Sequence, residues 1–245
     1  MDDRPAPGVR SATGTLARAA ISGRPIPLAL TGWIRAGTLD AELAALALVL
    51  VEHGLPLVVA APGAATASGW AGAGVRDALG LAVLTSSPPP QPATLAQAPV
   101  TVDAASLEEV LVRIPTLSLE AVDEAGARVA IVLVLEADLE ADTWRTGAAH
   151  LLRPPLRDGH GHLQRQGPAV LATWDCQSGA YEHFAWGVMP ELALLAQVRA
   201  GDLEAEIAQS RDLLAGLVAH EIDDPGAIRL AIEAARTDPA AGQRH

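Results

Sequence analysis

The sequence predicts an α/β protein that turns to antiparallel hairpins toward its C-terminus and closes with a helical segment. Three observations lead there. Strand-sized apolar runs at 57–61 and 129–135 alternate with helical patterns, turn residues divide short strands between 151 and 186, and capped helical patterns follow Pro190.

Composition sets the bounds. The chain has 245 residues, half of them hydrophobic and 19% charged, with a mean hydropathy of +0.25, which excludes a disordered chain and supplies a core. All 17 basic residues are arginine, so chemistry that needs a lysine is excluded. Against 29 acidic residues they leave a net charge of −12, a field that repels phosphate backbones and anionic lipid; neither nucleic-acid binding nor direct membrane insertion is expected. Cys176 is the single cysteine and the start Met1-Asp2-Asp3 is acidic, so a cytoplasmic location is expected. The longest apolar run, 43–51, is far below the roughly 20 residues of a membrane span.

The elements follow in order. Residues 1–24 read as a flexible arm, with ordered structure expected from Pro27-Leu28-Ala29-Leu30. Thr38 is the expected N-cap of a helix with Asp40 and Glu42 in its first turn, apolar residues to Val51 and Gly54 as its stop. Leu57-Val58-Val59-Ala60-Ala61 then suits a buried parallel strand, ended by Pro62-Gly63. Residues 25–84 form the first part of the α/β domain, and the proline-packed stretch 85–99 reads as a linker.

The second part of that domain, 100–188, begins with a short strand at Val100-Thr101-Val102 and a capping box, Ser106 with Glu109, that starts a helix. A short helix is expected at 118–125, followed by a strand over 129–135. Hairpins then turn at Asp158-Gly159-His160-Gly161 and at Gln177-Ser178-Gly179, the latter between strands 169–174 and 181–186. Pro190 starts the helical segment 189–237; Asp202 is the expected N-cap of a second helix, Asp224-Pro225 opens a third, and 238–245 reads as a tail.

A strand, a Pro62-Gly63 turn and the small residues Ala64-Ala65-Thr66-Ala67-Ser68 occupy the place of a phosphate-binding loop. Such a loop needs glycines so that backbone N–H groups face phosphate, a lysine for the β- and γ-phosphates, and a hydroxyl for magnesium. Here Ala65 stands at the second glycine position, Thr66 at the lysine position and Ala67 at the magnesium-ligand position; the alternative is an ordinary strand-to-helix turn.

The surrounding segments Gly32-Trp33-Ile34, Thr38-Leu39-Asp40-Ala41-Glu42-Leu43 and Val51-Glu52-His53-Gly54-Leu55-Pro56-Leu57-Val58-Val59 resemble the lead-in to the P-loop of the type II/type IV secretion and type IV pilus ATPases of bacteria. Val100-Thr101-Val102-Asp103-Ala104-Ala105-Ser106-Leu107-Glu108-Glu109 is similar to that family's later Thr-x-His-Ala-x-Ser-x-x-Glu segment, with Asp103 in place of its histidine. Residues 168–175 and 182–187 resemble the C-terminal part of one branch, so the likeness runs over about 26–220.

The resemblance implies a partial RecA-like P-loop sheet in a short, degenerate member. Only 37 positions separate Thr66 from Asp103, much of that span being the proline-rich stretch, where the family carries the carboxylates that hold magnesium and orient water. The expected protein is therefore a pseudoenzyme with a structural or regulatory role in a secretion or pilus assembly. It has no catalytic residue and no resident metal, and its partners are proteins, among them an intact ATPase paralogue or further copies of itself. The alternative is weak ATP binding or slow ATP hydrolysis, with Pro62, Gly63, Ala64, Ala65, Thr66, Ala67 and Ser68 holding the nucleotide and Glu136 or Asp138 on magnesium.

Other constellations read more simply. His160 and His162, near Asp158, are a solvated hairpin tip before they are a metal site. Arg153, Arg157 and Arg165 are surface charges before they are arginine fingers, and Cys176 with His183 lacks the third residue of a thiol site. Trp174 and Trp186 read as core.

Overall fold

The computed structural model describes residues 29–62, 75, 77, 100–114, 130–138, 143–153, 156–157, 159–164 and 166–237. The expected arm 1–24, linker 85–99, helix 118–125 and tail 238–245 lie outside the described residues.

Helix α1 (Leu30–Arg35) precedes α2 (Ala41–Glu52). Asp40, not Thr38, caps α2: its Oδ1 accepts from the Leu43 N–H at 2.8 Å. Thr38 is unavailable because it is fully buried and its carbonyl is held from across the structure by the backbone N–H of Thr146 at 2.9 Å and the Tyr181 hydroxyl at 2.7 Å. At the other end Gly54 takes a left-handed φ of +83°. Its N–H reaches the Val51 carbonyl and that of Leu55 reaches Leu50, closing a Schellman motif that turns the chain into the sheet.

Residues 43–51 of α2 are all buried, which explains an apolar run without a polar face: the helix is enclosed on every side, against the sheet and against other helices. Strand β1 (Leu57–Ala60) is also buried at every position. β2 (Val100–Val102) and β3 (Ala130–Asp138) flank it, both parallel to it. Between β2 and β3 comes α3 (Leu107–Arg113), where the capping box forms: Ser106 Oγ accepts from the Glu109 N–H at 3.3 Å, while the Glu109 carboxylate reaches back to the Ala105 N–H at 2.9 Å.

From β3 onward every pairing is antiparallel. β4 (Thr143–Leu152), β7 (Ala169–Asp175) and β8 (Ala180–His183) complete a six-stranded sheet of order β2-β1-β3-β4-β7-β8, and β5 (Leu156–Arg157) with β6 (Leu163–Gln164) forms a separate two-stranded ribbon. The antiparallel part thus starts at Thr143 rather than Leu151. The last strand stops at His183 rather than Trp186, because the chain turns at Phe184 into a 3-10 helix, Ala185–Val188.

Three helices finish the fold: α4 (Met189–Ala196), α5 (Ala200–Ala219) and α6 (Pro225–Thr237). α5 starts two residues before Asp202, whose carboxylate pairs with Arg199 at 2.8 Å instead of capping. Asp224 does cap α6, accepting from the Ala227 N–H at 2.7 Å. Leu203, Ile207 and Leu214 of α5 and Ile228 and Ile232 of α6 join one core with α2 and the sheet face of Leu57, Val59, Ile131, Leu133 and Leu135. The opposite sheet face, Val58, Ala60, Val102, Val132, Val134 and Leu152, packs with α3. Among the described residues no helix is long and apolar enough to cross a membrane.

Candidate functional site

Both β2 and β3 follow β1 in the chain, yet they lie on opposite sides of it. The connection leaving β1 therefore runs to one side, and the connection leaving its neighbour β3 runs to the other. That is a topological switch point, and in open α/β sheets ligands bind in the crevice beyond the carboxyl ends of such strands. Pairing continues one residue past β1, with the Ala61 N–H on the Val102 carbonyl at 3.0 Å, and the chain turns at half-buried Pro62. Of the seven loop residues Pro62 is thus placed at the switch point, while Gly63, Ala64, Ala65, Thr66, Ala67 and Ser68 lie outside the described residues.

Three carboxylates border this end of the sheet. Asp103 follows β2 directly and is half-buried. Glu136 and Asp138 stand on β3 beyond Val134, the partner of Ala60. Asp138 is neutralised by Arg145 of β4, whose Nε lies 2.5 Å from its Oδ2 and whose guanidinium sits 4.1 Å above the Trp174 ring. The carboxylate of exposed Glu136 leans over Gly147, a residue of β4 left unpaired by a bulge, so closely that a Cβ at 147 would run into it. Since β4 lies across β3 from β1, Glu136 leans away from Pro62.

A second polar cluster joins the far edge of the sheet to the start of α2. His183 of β8 sets Nε2 2.7 Å from Asp40 Oδ2 and Nδ1 3.9 Å from Glu42 Oε1; Trp186 Nε1–H donates to the same Glu42 oxygen at 3.0 Å. Burial opposes charge on His183, but the hydrogen bond to Asp40 and the charges of Asp40 and Glu42 together raise its pKa above the ordinary value. Beside it, burial pushes the Tyr181 hydroxyl up to about 12, so it stays a neutral group that donates to Thr38 and accepts from the Thr146 N–H at 3.1 Å.

The remaining sequence candidates are dispersed. His160 and His162 are exposed, with ring centres 6.3 Å apart, and among the described residues no group of three His, Cys, Asp or Glu side chains converges on a metal position. Arg153 is held by Glu191 at 2.9 Å; the Arg157 side chain and Arg165 lie outside the described residues. Cys176 is exposed in the β7–β8 turn that Asp175 closes, and His183 is committed to Asp40. Neither tryptophan is a core residue as expected: Trp174 is half-buried, edge-on to Tyr181 and beneath the Arg145 guanidinium, and Trp186 is 43% exposed on the 3-10 helix. The reading of residues from sequence missed the His183 cluster altogether, and no local signal marks it, since its members are 143 positions apart.

Fold and site together define a mixed α/β protein in which a buried parallel strand opens at a switch point and antiparallel strands extend the sheet on one side only. No protein-family model matches the chain, and no curated protein matches it.

Proposed function

We propose that the chain is a degenerate relative of the type II/IV secretion and type IV pilus ATPases, a partial RecA-like sheet that keeps the scaffold of a nucleotide site and serves as a structural or regulatory subunit. The observation that carries this reading is β1: it is buried at all four positions, has parallel neighbours on both sides, and ends at a switch point in a loop where no lysine stands.

Phosphoryl transfer depends on positive charge and magnesium placed around the γ-phosphate. The P-loop lysine position is held by Thr66, and the chain contains no lysine to take its place. For the second, Asp138 is paired with Arg145 and Glu136 leans toward β4. The scaffold without the chemistry fits a role exercised through protein partners, an intact ATPase of the same family being the partner this reading names.

Two measurements on the purified full chain test it. A fluorescent ATP analogue, titrated with and without magnesium, is expected to show no binding that a Gly63→Trp substitution removes, and a pull-down with an intact secretion-type ATPase is expected to retain the chain. Micromolar binding abolished by Gly63→Trp, with turnover abolished by Glu136→Gln, would overturn the pseudoenzyme reading in favour of a slow ATPase. Failure to associate with the intact enzyme would remove the partnership.

A further inference from the structure

His183 is flanked by two carboxylates from the same helix turn. Its partner Asp40 does two things with its two oxygens: Oδ1 caps α2 through the Leu43 N–H at 2.8 Å, and Oδ2 meets His183 Nε2 at 2.7 Å. Glu42, one helical position into α2, presents Oε1 to His183 Nδ1 at 3.9 Å while accepting from Trp186 Nε1. Nδ1 is buried and has no hydrogen-bond partner of its own.

A neutral imidazole carries one N–H and can serve only one of these carboxylates; the charged form carries two, and its second N–H then faces Glu42. We infer that His183 is a pH-sensitive clasp that, when protonated, ties the β8 edge and the 3-10 helix to the N-terminus of α2, and slackens when it loses its proton. The groups facing it are few. From α2 they are Asp40 and Glu42, and from its own strand Tyr181, with ring centres 6.4 Å apart. From α5, Arg211 acts on Glu42 but is itself paired with Asp212 at 2.7 Å; from β4, Arg145 acts on Tyr181 and is paired with Asp138.

The direction of the effect follows from linkage. The folded chain holds the His183 proton more tightly than the unfolded chain does, because the two carboxylates outweigh burial. The added stability is therefore complete below the ordinary histidine pKa and disappears as pH rises through the raised value in the fold. Helix capping and strand pairing carry no such dependence, so the clasp is separable from the packing around it.

The experiment is an NMR titration of the histidine rings of the full chain, alongside thermal unfolding from about pH 5.5 to about pH 8.5. Asp40→Asn is the informative variant, since asparagine caps a helix as well as aspartate does but brings no charge. His183 is expected to titrate above free histidine in the native chain and to drop in Asp40→Asn. The Tm gap between the native chain and His183→Gln is expected to widen as pH falls and to shrink toward the alkaline end. A His183 ring that titrates at or below the free value, or a Tm gap constant across the series, overturns the inference; the first reading needs no variant to fold.

Discussion

Among the described residues the two faces of the sheet are built to different depths. One face, with Leu57, Val59, Ile131, Leu133, Leu135 and Leu151, lies against α2, and α1, α4, α5 and α6 pack into the same core. Among the described residues the other is packed by one helix, the seven-residue α3 at its parallel end, and on β7 it leaves Val170 39% exposed. The difference teaches where the fold gets its persistence. β1 is held by burial on both faces, Leu57 and Val59 on the deep one and Val58 and Ala60 on the other, and by backbone pairing on both edges.

The largest expected effect tests that contrast directly. Leu133 is fully buried on the deep face, and Leu133→Ala should cost about 4 kcal/mol, because an enclosed site cannot collapse on the cavity. Leu152, 7% exposed on the shallow face, should cost only about 2 kcal/mol as Leu152→Ala, since fewer atoms surround it. Urea unfolding of the two variants measures both. Equal costs would mean that the shallow face is as tightly enclosed as the deep one.

A smaller effect is expected where β3 and β4 meet. Gly147→Ala drives a Cβ into the Glu136 carboxylate, the far end of a flexible side chain that can swing aside, so the cost should be about 1 kcal/mol. Adding Glu136→Ala should recover most of it, a non-additivity that a double-mutant cycle reads. Strict additivity would show that Glu136 does not rest on the bulge, and would return it to consideration beside Pro62.

The legible parts of this molecule are the ones with a single environment. The run 43–51 and the strand 57–61 are apolar throughout because both are enclosed on all sides, and Gly54, Ser106, Glu109 and Asp224 mark boundaries through local hydrogen bonds alone. β4 was not legible. Gly147, Ala148 and Ala149 give it little strand propensity, and two bulges, opposite Val134/Leu135 and at Ala149/His150, shift the alternation that would reveal a half-buried strand. Thr38 and Asp40 are both good capping residues, and only the contact of Thr38 with Thr146 and Tyr181 decides between them. Of the loop at 62–68 the structure describes Pro62 alone, and the sequence pattern that marks the site lies in its neighbours, β1 and the segment after β2.

The smallest effect separates the two faces by the sign of a titration. His150 of β4 stands on the shallow side, its Nδ1 buried without a partner; burial lowers its pKa, and the charge of Glu108 at the start of α3 only partly offsets this. The fold therefore favours the neutral ring, the reverse of His183. Its contribution to stability is present above the ordinary histidine pKa and is lost as pH falls through the lowered value. His150→Phe should remove that acid-side loss and leave the alkaline end of the Tm series unchanged. His183→Gln should instead lower the acid end of the same series, so the two substitutions shift it in opposite directions and serve as mutual controls. Parallel Tm profiles for the native chain and His150→Phe would mean that solvent reaches the ring well enough to erase the burial, and that the shallow face is open at β4 as well as at β7.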